Sequence, residues 1–138
     1  MSSYGRKPQL AAYQSVSAHG RVAGADSHGL VLMLMDGALE RLATVRGCLE
    51  RGEIARKAQL LHSCITLITE LRGCLNMPAG GELAHNLSDL YDYMLRLLLR
   101  ANVESNIDCV REVSNLLAEI RGAWVAIGPE VRRPASSN

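Results

Sequence analysis

The residues best able to do chemistry in this chain are its four histidines, its four cysteines and the Glu82–His85 pair. A glutamate and a histidine three apart share one helical face, the arrangement that holds half of a di-iron centre in carboxylate bundles. Such a centre needs the same pair on a second helix. Gln59 stands three before His62 and Ala25 three before His28, so the pair has no twin. It reads as a helix-start glutamate beside a solvated histidine. A phosphate-accepting histidine on a helical bundle is usually followed closely by lysine and glycine. His62 is followed by Ser63-Cys64-Ile65-Thr66 and His85 by Asn86-Leu87-Ser88-Asp89, and neither fits. Gly80-Gly81 lacks the GK[ST] ending of a phosphate loop. Asp89 and Asp92 read as a solvated face, and the serines fall in caps, tails and helix surfaces. Cys48, Cys64, Cys74 and Cys109 form no CxxC pair and lie inside apolar helical patterns, as reduced thiols packed like small hydrophobes. These residues predict no enzyme, no metal and no cofactor.

The elements that would position them are helices. No alternating Val/Ile/Thr-rich run calls for a strand. The first helix is predicted from Ser27 to Glu50, with Asp26 as N-cap, a stripe of Val31, Leu34, Ala38, Leu42, Val45 and Leu49, and Arg51-Gly52 at its end. The second runs from Glu53 to Asn76 on Ile54, Ala58, Leu61, Ile65, Ile68 and Leu75. Met77-Pro78-Ala79-Gly80-Gly81 then breaks the chain. The third runs from Gly81 to Asn102 on Leu83, Leu87, Leu90, Met94, Leu97 and Ala101. The fourth runs from Ile107 to Ile127 on Val110, Val113, Leu117, Ile120, Trp124 and Ile127, and Gly128-Pro129 stops it.

Steps of three and four with short connections specify an all-α fold, an antiparallel up-down-up-down four-helix bundle over residues 26–127. Residues 1–25 read as a flexible segment carrying a short amphipathic turn at Leu10, Tyr13 and Val16. Residues 128–138 read as a disordered polar tail. Only 4% of residues are aromatic, so the core must be aliphatic.

Two of these helices are too apolar for one core, which needs a face of about 100° or a little more. The second helix carries another stripe, Leu60, Cys64, Leu67, Leu71 and Cys74, and the two together span roughly 200°. The third adds Tyr91, Tyr93, Leu95, Leu98 and Leu99. This excess predicts a hydrophobic groove along the second and third helices. Three covers remain open at this point: the fourth helix with the N-terminal segment, a second copy of the chain, or a foreign peptide.

Composition removes other partners. A net charge of +1 gives no basic surplus for nucleic acid. No apolar run approaches the ~18 to 20 residues of a membrane span, and Met1 to Lys7 lacks a signal peptide's apolar stretch. The expected location is the cytoplasm.

The run Gly80-Gly81-Glu82-Leu83-Ala84-His85-Asn86-Leu87-Ser88-Asp89-Leu90-Tyr91-Asp92-Tyr93-Met94, with Arg96, Leu98 and Ala101-Asn102, closely resembles the third helix of the flagellar secretion chaperone FliS family. Ala12-Tyr13-Gln14-Ser15-Val16, the stretch from His28 to Ala38 and Ala123-Trp124 resemble other segments of that family. The likeness runs in unbroken order over about residues 9 to 127. It implies a cytosolic four-helix bundle that binds the disordered C-terminal segment of flagellin, prevents premature polymerisation and delivers it to the export gate protein of the flagellar type III apparatus.

By motif position, Leu10 and Tyr13 would take part in partner binding and cover the empty groove. With the surplus apolar residues, the expected partner-binding set is Leu10, Tyr13, Leu60, Leu67, Leu71, Tyr91, Met94, Leu95 and Leu98, on a monomer or homodimer. Two positions depart from the family pattern. Asp26-Ser27-His28 replaces the usual serine-proline-histidine opening of the first helix, and Leu97 follows Arg96 where the family has a second arginine.

Overall fold

The structure, a computed structural model, describes residues 27–137, with side chains described as far as residue 126. The expected amphipathic turn at Leu10 and Tyr13 lies outside the described residues. Four helices follow in order: α1 (Ser27–Arg51), α2 (Ile54–Gly73), α3 (Met77–Glu104) and α4 (Ile107–Ser137).

Each connection is a local solution to unsatisfied helix ends. At the end of α1, Gly52 turns left-handed at φ 70°. The Glu53 amide then reaches back to the Cys48 carbonyl at 2.9 Å and the Gly52 amide to that of Leu49 at 3.4 Å, a Schellman closure. Asn76 caps α3 by accepting from the Ala79 amide at 3.3 Å. The expected break over residues 77–81 is instead one helical turn followed by a kink, because only Gly81 leaves helical geometry, at φ 56° and ψ −135°. That combination is open to glycine alone. Asn106 caps α4 through the Asp108 amide at 2.9 Å. The α4 backbone stays helical to Ser137, past the stop expected at Gly128-Pro129. A proline within a helix forfeits one hydrogen bond and kinks the chain, and that need not end it.

The helices form a ring. α1 packs on α2 and α4, and α3 packs on α2 and α4, while the backbones of the diagonal pairs do not approach closely. Short loops between successive neighbours make this the antiparallel up-down-up-down bundle. The core is aliphatic and complete in its middle and lower layers: Leu34, Leu42, Val45, Leu61, Ile68, Met94, Leu98, Val110, Val113 and Leu117 are fully buried.

α1 and α2 pack tightly at Gly37-Ala38. A Cβ on Gly37 would lie 3.3 Å from the Leu67 Cδ1, and the Cys64 thiol donates to the Ala38 carbonyl at 3.7 Å. The small residues of α1 therefore receive the Cys64–Leu67 face of α2. Burial pushes the Cys64 thiol up to about 12 and the Tyr91 phenol up to about 12.

Every seam of the ring also carries a polar bridge. Arg41 Nε donates to Ser63 Oγ at 2.7 Å between α1 and α2. Arg72 pairs with Asp92 between α2 and α3, and the Tyr93 hydroxyl donates to Glu112 between α3 and α4. Arg121 pairs with Asp36 between α4 and α1. These bridges are partly exposed and each contributes ~0 to 1 kcal/mol; their effect is on register. Two contacts at the bundle ends are more deeply set. His28 Nε2 donates to the Trp124 carbonyl at 2.7 Å, Trp124 Nε1 donates to the His28 carbonyl at 3.0 Å, and the rings stack 4.7 Å apart. At the opposite end Lys57, 3% exposed, donates to the Asn102 carbonyl at 3.0 Å and to Ser105 Oγ at 3.1 Å. It thereby holds the last turn of α3, where a cation also meets the negative end of the helix dipole.

Two outcomes follow from this packing. Gly37→Leu should lower stability by about 1 to 3 kcal/mol in urea melts, because its side chain has no room against Leu67; an unchanged midpoint would show that α2 does not rest on Gly37. Cys64 and Tyr91 hold their protons more tightly folded than unfolded. Stability should therefore be complete below about pH 9 and fall as pH rises toward 12. Tyr91→Phe should flatten the fall above pH ~10, measured as denaturation midpoint against pH, and an identical fall in the variant would remove Tyr91 as a cause.

Candidate functional site: the apolar strip between α2 and α3

The burial pattern draws the α2 core from both stripes: Leu61 and Ile68 of the expected core stripe are fully buried. Cys64, Leu67 and Leu71, expected on the surplus stripe, are buried. Ile54, expected in the core, is 60% exposed, and Ala58 and Ile65 are half-buried. The rotation follows from Gly37. With Leu67 and Cys64 drawn onto α1, the residues about 120° or more around α2 from Leu67 are turned toward α3 and solvent.

On α3, Leu95 is half-buried, Leu99 is 58% exposed and Val103 is 84% exposed. At three- to four-residue spacing these lie on the side of α3 that also carries Asp92, the partner of Arg72 on α2. Ile54, Ala58 and Ile65 lie on the side of α2 that carries Arg72. The two sets therefore border the same seam. Because the helices are antiparallel, Val103 sits near Ala58 and Leu99 near Ile65. The strip begins beside Lys57 and ends at the Arg72–Asp92 pair. From Ile54 to Ile65 it rises about 17 Å, room for roughly three turns of a docked helix.

This seam holds only part of the expected partner-binding set. Leu95 belongs to it. Leu67, Leu71, Tyr91, Met94 and Leu98 are between 0% and 6% exposed and form the core of the bundle itself. Leu60 is half-buried on the opposite side of α2, the face that Ser63 and Leu67 turn to α1. Leu10 and Tyr13 lie outside the described residues. Ile54, Ala58 and Ile65 were expected in the core, and Val103 carried no expectation. The signal that finds them is the Gly37-Ala38 pair, whose small size lets Cys64 and Leu67 of α2 pack tightly on α1.

A second region of thin cover lies between α3 and α4. Below the Tyr93–Glu112 bridge, Leu97, Leu98, Ala101, Cys109, Val110 and Val113 are buried. Above it, Leu87, Leu90, Leu116 and Ile120 are only half-buried and Leu83 is 65% exposed. Leu83, Leu87 and Leu90 were expected to be core. Burial on this seam fades toward the kink at Gly81.

Among the described residues the titratable groups make no catalytic cluster. Glu82 and His85 are exposed on α3 and His62 on α2, and among the described residues no group of three or more His, Cys, Asp or Glu could hold a metal ion. The Tyr91 hydroxyl, buried with its ring, has no hydrogen-bond partner among the described residues. No helix among them is long and apolar enough to cross a membrane. What the arrangement can do is hold an apolar surface.

Comparison with known proteins agrees with the run of residues on α3. Residues 9–131 match the family described as flagellar protein FliS. The chain is similar to the flagellar secretion chaperone FliSB of Pseudomonas aeruginosa, 44% identical over 115 residues that cover 83% of this chain and 91% of the relative. It is similar to the flagellar secretion chaperone FliS of Salmonella typhimurium, 41% identical over 122 residues covering 88% and 90% of the two chains. To FliS of Escherichia coli the identity is 34% over 114 residues, covering 82% and 84%. With its helical ring and its Gly80–Met94 run, this chain belongs to the FliS family.

Proposed function

We propose that this protein is a cytoplasmic export chaperone whose α2–α3 strip holds the C-terminal segment of flagellin. Bound there, the segment is kept from nucleating a filament and is carried to the export gate protein of the flagellar type III apparatus. The observation that supports this reading is the exposed set Ile54, Leu99 and Val103 along one seam of the bundle. Scattered single apolar residues need no explanation, whereas a contiguous apolar seam marks an interaction surface.

The strip suits a disordered amphipathic segment that becomes helical as it binds, with apolar anchors at i, i+3 or i+4 and i+7. Coupled folding of this kind buries on the order of 1,000 to 3,000 Å² and spends ~2 to 5 kcal/mol on ordering the ligand. Hold and release are then both within reach, as export requires. The strip alone is too short for such an area, so the segment would continue onto further surface. The half-buried seam around Leu83, Leu87 and Leu116 offers it. In this reading Leu10 and Tyr13 join the partner-binding face and cover it when it is empty.

Calorimetry with a flagellin C-terminal peptide tests the proposal. Binding at micromolar concentration or tighter is expected, and no heat at that concentration would end it. Leu99→Asp and Val103→Asp should weaken binding about tenfold or more while leaving the thermal midpoint within a few degrees, since both residues are exposed. Leu98→Asp should instead unfold the bundle by burying an unpaired carboxylate. Light scattering of the free protein separates the other use of the strip, because a concentration-dependent dimer lost in Leu99→Asp would assign the strip to a second copy of the chain.

A further inference from the structure

The charges bordering the α2–α3 strip divide into those already neutralised and those that are not. Asp92 is paired with Arg72, and Arg100 with Glu104. Asp89 and Arg96 have no ion-pair partner among the described residues, and both are exposed. They stand seven residues apart on α3, two helical turns and about 10 Å, on one ridge of the helix. Val103 continues that ridge one heptad further, and the ridge is the crest of α3, with Leu99 of the strip on one side and Tyr93, which faces α4, on the other.

Arg96 is not loose. Its guanidinium lies over the Tyr93 ring, 6.0 Å from the centroid, and the Tyr93 hydroxyl is itself fixed to Glu112. A cation held on an aromatic face has lost part of its rotamer freedom before a ligand arrives. Neither charge serves the helix dipole, whose effect is confined to the first and last turns. Asp89 is beyond the first turn of α3 even counted from the kink at Gly81, and Arg96 is two turns from its end at Glu104.

We propose that Asp89 and Arg96 are specificity-determining residues that set the register and direction of the bound segment. They would select an amphipathic helix whose apolar stripe is flanked, two turns apart, by a cation facing Asp89 and a carboxylate facing Arg96. A segment laid in reverse places like charges together at both positions. Apolar anchors give affinity with little sense of direction, and the opposed charges supply it. This rests on the reading of the strip as a peptide-binding surface.

The test is the anisotropy of a fluorescein-labelled flagellin C-terminal peptide, titrated with the full chain at low and high salt. Arg96→Gln and Asp89→Asn should each weaken binding about 3- to 5-fold at low salt, the range of a partly exposed ion pair. Arg96→Lys should bind close to wild type. The reversed ridge, Asp89→Arg with Arg96→Asp, should lose about tenfold or more, and the loss should shrink at high salt as screening takes over. Circular dichroism should show all variants folded with unchanged melting, since both sites are exposed. Variants within twofold of wild type at both salt concentrations would overturn the assignment while leaving the strip as the binding surface. No binding by the wild-type chain would overturn the chaperone reading and this assignment with it.

Discussion

The seating of α2 on α1 at Gly37 is the constraint from which the rest of this bundle follows. Without a side chain at Gly37, and with only a methyl at Ala38, α1 accepts Leu67 and Cys64 at van der Waals distance. An α2 helix apolar over half its circumference has no unique rotation of its own. The close contact chooses one. It turns Cys64, Leu67 and Leu71 inward and leaves Ile54, Ala58 and Ile65 at the edge facing α3. The same choice that completes the core therefore exposes the strip.

The polar bridges then hold that choice in register. The His28–Trp124 clasp joins the start of α1 to α4, and Lys57 joins the start of α2 to the last turn of α3. Between them, one bridge on each seam opposes sliding of the helices past one another. Such partly exposed contacts contribute little to net stability. Their geometry is nonetheless restrictive, and an aliphatic core of Leu, Ile, Val and Met is permissive by comparison. A bundle without phenylalanine gains its volume from many interchangeable side chains, so polar pairs carry much of the positional information.

Function on this scaffold is a matter of incomplete burial. The lower and middle core is fully buried, whereas two seams, α2–α3 and the upper part of α3–α4, leave apolar surface uncovered. A carrier of an export substrate needs both conditions: a bundle stable without its cargo, and a face that gains free energy only when cargo is present. Those demands are met by different residues of the same helices, with Leu98 buried one position before Leu99 on the surface.

Much of this was legible in the sequence alone. Helix number, order and antiparallel topology follow from the three- and four-residue apolar steps and the short connections. The Gly80–Met94 run points to the family, and the width of the apolar face on the second and third helices shows that surface would be left over. What the sequence could not decide was which residues those were. Two adjacent stripes on one helix are equivalent until a neighbour breaks the tie, and the tie is broken by Gly37 on α1, thirty residues upstream of Leu67. Hence Leu67, Leu71, Tyr91, Met94 and Leu98, expected on the groove, are core, while Ile54, Ala58 and Ile65, expected in the core, line the strip. Periodicity records how much of a helix is apolar; only the packing of one helix on another records which way it faces.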